Sequence, residues 1–192
     1  MSNETMIDGI DFGPLVCLIG SWKGEKGMDV APEADGSNED NPFWETIDFS
    51  VVGDVTNADK QTLAVVSYHQ QVYRKSNDEK FHDQIGYWIW DKDAKTIMHT
   101  ISIPRGVTLV AGGSIADDKF SASSALLKVE AEDGGDWGIA QSPFMRDNAK
   151  TTAYKMAMKV DGDKISYSQT TFLDIYGRSF DHTDKSGLVK VS

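Results

Sequence analysis

Alternation decides what this chain can fold into. Phe43, Glu45, Ile47, Phe49 and Val51 alternate with Trp44, Thr46, Asp48 and Ser50. Tyr154, Met156, Met158 and Val160 alternate with Lys155, Ala157 and Lys159. After Asp161-Gly162-Asp163, the residues Ile165, Tyr167, Gln169, Thr171, Leu173 and Ile175 take one face, opposite Ser166, Ser168 and Thr170. Successive side chains of a strand point to opposite faces, so a period of two marks strands. Two such runs joined by Asp-Gly read as a hairpin, because glycine accepts the positive φ the turn demands. Asp91 to Lys95 and Asp117-Asp118 separate further runs in the same way.

The runs predict about ten strands, over 21–30, 43–52, 61–74, 80–90, 96–103, 106–114, 119–130, 151–160, 164–175 and 187–191. Phe12 to Ile19 is the one helical candidate, with Pro14 in its first turn. Sequential strands with short turns and no crossover helices exclude a parallel α/β sheet. The fold class expected is all-β: an antiparallel up-and-down barrel, calycin- or lipocalin-like, which closes away its own edges. A two-sheet sandwich is the alternative. One domain over 1–192 is expected, with an N-terminal tail at 1–11 and long loops at 31–42 and 132–150. Gly112-Gly113 reads as a bulge within a strand.

Charge narrows the partners. Across 192 residues the formal net charge is −11. That excludes a general nucleic-acid binder, which needs a basic face for phosphate, and a polybasic membrane anchor. The longest apolar run, Leu15 to Ile19, is far short of a membrane span. Residues 1–11 carry three acids and no base, unlike a secretory leader. Cys17 is the single cysteine, so no intramolecular disulfide forms, and it reads as a small buried hydrophobe. A cytoplasmic protein is expected. Monomer and homodimer both remain open.

A barrel of this size has room for a small ligand. Neither face of the run from Thr62 to Arg74 is cleanly apolar or polar, as lining of a partly polar cavity would be. Candidate lining residues are Trp22, His69, His82, Gln84, His99, Arg105, Tyr176 and Arg178. Trp22, in Gly20-Ser21-Trp22, also reads as a plug for the closed end. His69, His82 and His99 lie on three predicted strands about 4.8 Å apart and could meet as a metal site or simply bond to neighbours. Arg74, Arg105, Arg146 and Arg178 are cations suited to a carboxylate head group. There is no glycosidase-like carboxylate pair, nucleophile elbow or phosphate loop. Catalytic residues are therefore not assignable from motifs.

Several segments together resemble the nitrobindin family, haem-binding β-barrels related in shape to fatty-acid-binding proteins and lipocalins. Leu18 to Gly24 looks like its Gly-x-Trp-x-Gly-x-Gly opening, and Phe43 to Phe49 like its aromatic-x-Glu second strand. Phe81 to Tyr87 is similar to its His-x-Glu-x-Gly-Tyr segment, and Ile103 to Val107 to its Pro-x-Gly-aliphatic turn. Ile165 to Ser168, then His182 before Leu188 and Lys190, resembles its C-terminal end. The chain departs from the pattern at Gly27, one position late, at Gln84 in place of Glu, in the acidic stretch from Ala31, and in the spacing from His182 to Leu188.

The resemblance implies haem b as cofactor, with His182 as axial ligand and Asp181 or Asp184 accepting its other N–H. Read from its neighbours alone, His182 is equally a turn histidine between two acids. Three functions follow as expectations. The first is a barrel that binds a small apolar or amphipathic ligand, haem or a carboxylated molecule. The second, implied by the family, is isomerisation of peroxynitrite on ferric haem. The third is a protein-interaction unit docking through the acidic stretch Glu33 to Asp40.

Overall fold

The computed structural model describes residues 3–192. Ten long strands run antiparallel in sequence order. They are β1 Gly20–Pro32, β2 Asn38–Asn57, β3 Gln61–Arg74, β4 Lys80–Asp91, β5 Thr96–Ile103, β6 Val107–Ser114, β7 Ser124–Glu132, β8 Ala149–Asp161, β9 Lys164–Ile175 and β10 Arg178–Lys190. Each pairs with the next, and β10 returns to β1 through Asp184↔Asp29 and Leu188↔Gly24. The remaining gap, between β6 and β7, closes at Gly112↔Glu130. The fold is thus all-β, a closed barrel of ten antiparallel strands with only short helical turns. No helix among the described residues is long and apolar enough to cross a membrane.

The closing seam explains the paired glycines. The register of β5 against β6 runs unbroken through Gly112 and Gly113, so the bulge expected there is absent. Instead the backbones approach closely. A Cβ on Gly113 would stand 1.9 Å from the Lys128 carbonyl oxygen, and one on Gly112 would stand 1.9 Å from the Trp137 ring.

The end where β1 begins is shut. Gly13–Leu18, the expected helix, is a 3-10 helix laid across it, with Pro14 near its start. Phe12, Leu15 and Leu18 are fully buried, and Trp22 and Trp90 nearly so. The Trp22 indole N–H donates to the Leu18 carbonyl at 2.6 Å, which ties the plug to the first barrel strand. Cys17 is buried here, and burial pushes its thiol up to about 12, so it is inert packing.

Three expected boundaries change. The stretch 31–42 is loop only around Glu33–Ser37, because Asn38–Pro42 pairs with Met28–Pro32. The stretch 132–150 holds the strand Ile139–Gln141, paired to β6, and the short helix Pro143–Asn148, capped by Ser142. The last strand begins at Arg178, so His182 lies within it rather than in a turn. In 38–42 and 178–186 the inward positions include the polar residues Asn41, His182 and Asp184, so the apolar alternation that marks a strand is broken there. Of the expected tail, residues 1 and 2 lie outside the described residues, while Met6–Ile7 and Ile10–Asp11 form a small hairpin.

Candidate functional site

Above the plug the interior opens into a cavity of about 410 Å³, within the range of small-molecule sites. Its lining includes the apolar side chains of Phe43, Phe81, Ile101, Ile103, Leu109, Leu173 and Ile175, with Met145 of the short helix. A cluster of polar lining residues lies where β10, β1 and β2 adjoin.

That polar cluster is built by strand alternation. Phe180, His182, Asp184, Ser186 and Leu188 occupy every second position of β10 and turn inward. The bulge between Gly24 and Gly27 resets the face of β1, so Asp29 also points in and its residue is only 3% exposed. His182 Nε2 donates to Asp29 Oδ1 at 2.5 Å. Asn41 Nδ2 donates to Asp29 Oδ2 at 2.9 Å, and Gln169 Nε2 to Asp184 Oδ2 at 2.9 Å. Arg74 Nη1 donates to Asn41 and, at 3.4 Å, to Glu39. Ligand atoms of Asp29, His182 and Asp184 all lie within 4.8 Å of one another.

These groups bias one another. Burial opposes a charge on Asp29, but the His182 hydrogen bond and charge, with Asn41, outweigh it and hold the carboxyl below its usual range. Burial likewise opposes a charge on His182, yet Asp29 and Asp184 raise it. Asp184 goes the other way: burial pushes it up to about 7, against the pull of His182 and Gln169.

A second polar layer lies deeper. Gln70 Nε2 donates to Glu45 Oε2 at 2.6 Å and to Tyr167 Oη at 3.1 Å, and Tyr167 Oη donates to Glu45 Oε2 at 3.0 Å. Burial raises the Glu45 carboxyl above its ordinary value. The Ser186 hydroxyl stands beside the same carboxyl and, with Gln70 and Tyr167, partly offsets the effect of burial. Gln84 Nε2 donates to Tyr68 Oη at 2.8 Å, and His82 Nε2 meets Gln84 Oε1 at 3.3 Å.

Of the residues picked from the sequence, His82, Gln84, Arg105 and His182 line this one cavity. The Arg105 guanidinium donates to the Phe81 carbonyl at 3.3 Å and makes no ion pair among the described residues. The others are elsewhere. Trp22 sits in the plug. His69 points outward and pairs with Asp83 at 3.0 Å. His99 is fully buried beneath the cavity, stacked on Trp88 with ring centroids 4.1 Å apart, and neither ring nitrogen has a partner. His69, His82 and His99 therefore do not converge, because they occupy different faces and heights. Tyr176 is in the β9–β10 turn at φ 54° and is exposed. Arg178 donates to the Ser37 carbonyl at 3.1 Å and clips the β1–β2 turn. Sequence reasoning missed Asp29, Asn41, Gln70 and Gln169. A lone acid at every-second-residue register with Gly27 and Ala31 was the available signal for Asp29.

No curated protein matches the chain. The crystal structure of Rv2717c from M. tuberculosis shares the fold at a TM-score of 0.67, with 21% identity over 93% of this chain and 95% of that one. The profile of the THAP4-like, heme-binding beta-barrel domain family matches residues 11–190. That match spans the plug, all ten strands and the cavity, and the chain therefore belongs to this family of haem-binding β-barrels.

Proposed function

We propose that the barrel is a receptor for one small amphipathic anion, held with its apolar body against Phe81, Ile101 and Ile103 of the adjacent strands β4 and β5. Its acid group is taken by Arg105 at the mouth, with His82 beside it. The observation that carries this reading is Arg105 itself: a guanidinium facing a largely apolar cavity, braced by a carbonyl and lacking a carboxylate partner among the described residues. Guanidinium binds carboxylate through two parallel hydrogen bonds, and its value rises as the ligand excludes water. A cytoplasmic setting, suggested by the unpaired Cys17, goes with this reading.

The family points to haem b, with His182 as axial ligand. An axial histidine must offer the iron a lone pair while its other nitrogen is braced by an acceptor. Here Nε2, the ring nitrogen farther from the backbone, is the one that donates to Asp29, and a second carboxyl stands beside the same ring. Asp29, Asn41 and Asp184 make the surroundings of His182 polar, whereas a porphyrin buries two broad apolar faces. The donor set does not fit haem ligation, and peroxynitrite isomerisation on haem falls with it.

Extraction of natively purified protein followed by mass spectrometry tests the reading. A stoichiometric carboxylated or phosphorylated amphipath, lost in Arg105→Ala, is expected. An empty extract from wild-type protein, with no anionic fatty-acid or fluorophore probe displaced from the cavity, overturns it. Hemin titration is expected to give no Soret band that depends on His182, and a sharp band abolished by His182→Ala restores the haem reading.

A further inference from the structure

We infer that Asp29, His182 and Asp184 form a binding site for a bare divalent transition-metal ion inside the barrel. The inference grows from the misfit with haem. It requires the cavity to be accessible, as the proposed function does, but nothing of the amphipathic anion.

Three features converge. The donor atoms come from two adjacent strands whose register is held by the Asp184↔Asp29 pair, with His182 two residues away on the same inward face. Two carboxylates and one imidazole, gathered within 4.8 Å, can close around one ion with small side-chain shifts. Oxygen ligands with one imidazole suit the first-row divalent ions, and two carboxylates balance their charge.

The outer arrangement points the same way. Oδ2 of Asp29 is held by the Asn41 amide and Oδ2 of Asp184 by the Gln169 amide, neither of which belongs to the trio. Gln169 is in turn held by Tyr154 Oη at 3.0 Å. Outer-shell donors of this kind orient the carboxylates of metal sites. The His182–Asp29 hydrogen bond is the contact that an ion would replace.

The test is a Co2+ titration of chelator-treated full-length protein in about 0.15 M salt, where exposed acids are screened, read by visible absorption and by Zn2+ competition. One saturable site per chain is expected. Asp29→Asn, His182→Gln and Asp184→Asn should each weaken it at least about tenfold, and Asp163→Asn, an exposed turn acid, should leave it unchanged. No saturable site, or a site indifferent to all three substitutions, overturns the inference. Because a variant could fail to fold, Mn2+ broadening of wild-type NMR signals gives a second readout. The Asn41 and Gln169 side-chain amides should vanish first, and broadening confined to surface acids overturns the site. A His182-dependent Soret band without Co2+ binding returns the ring to haem. Co2+ binding with no extractable anion leaves the ion site standing and removes the proposed receptor function alone.

Discussion

The two ends of the barrel are made by the same strands and differ in almost every other respect. β1 runs from Trp22 in the plug to Asp29 in the cavity, β2 from Phe49 to Asn41, and β10 from Leu188 to His182. At the shut end the inward positions are Phe12, Leu15, Leu18, Trp22 and Trp90, packed without polar demand beyond two indole N–H groups, of which Trp22's is bonded. At the open end the inward positions include Asp29, Asn41, Glu45, Gln70 and Gln84, all buried and nearly all hydrogen-bonded. Burial of apolar surface drives folding, while a buried polar network costs desolvation and is close to neutral once satisfied. Length along the strand therefore separates stability from binding within one barrel.

The contrast can be broken most severely at the plug. Trp22→Ala should cost about 3–5 kcal/mol, seen as a lowered midpoint in urea melts. An effect below about 1 kcal/mol would show that the plug does not carry the fold.

The second effect is acid sensitivity from beneath the cavity. Burial pushes His99 down to about 3 from its ordinary 6.5. A depressed histidine contributes stability that is full above the unfolded value and is lost as pH falls from about 6.5 toward 3. The loss should be on the order of 4 kcal/mol across that window. His99→Phe keeps the stack on Trp88 and should flatten the acid limb of a stability-against-pH curve. An unchanged limb would place the acid sensitivity elsewhere.

A smaller effect of opposite sign belongs to the open end. Asp184 is raised to about 7 from 3.8. The stability tied to its neutral form is present at acid pH and lost as pH rises through about 7. In chelator-containing buffer, Asp184→Asn should therefore stabilise the protein at pH 8 relative to pH 5, by about 1–2 kcal/mol. Equal changes at the two values would show that Asp184 is ionised throughout.

The smallest expected change in stability is at the rim. Arg105→Ala should move the melting midpoint by no more than about 0.5 kcal/mol, while emptying the cavity of its extractable anion. A large stability loss would make Arg105 a structural brace rather than a ligand contact.

Legibility in the sequence followed the same division. The spans 61–74, 96–103 and 164–175 agree with β3, β5 and β9, since each is bounded on both sides by turn residues that read locally. Residues 38–42 and 178–186 were read as loop or turn, although they are strand, because the cavity asks for polar residues at the inward positions. His82, Gln84, Arg105 and His182 were visible as residue types. Asp29, Asn41 and Gln169 were not, since a single polar residue within a strand looks the same whether it turns to solvent or to a cavity.

By itself, the order of residues determined that the chain is antiparallel β-sheet with short turns, because alternation and Asp-Gly turns are local. It also offered Trp22 as a plug for the closed end, beside its place among the candidate lining residues. Only the tertiary structure decided which polar residues meet. Asp29 and His182 are 153 residues apart in the chain and 2.5 Å apart in space. Their meeting depends on the return of β10 to β1 and on the bulge after Gly24, and no local rule carries register across a closed barrel.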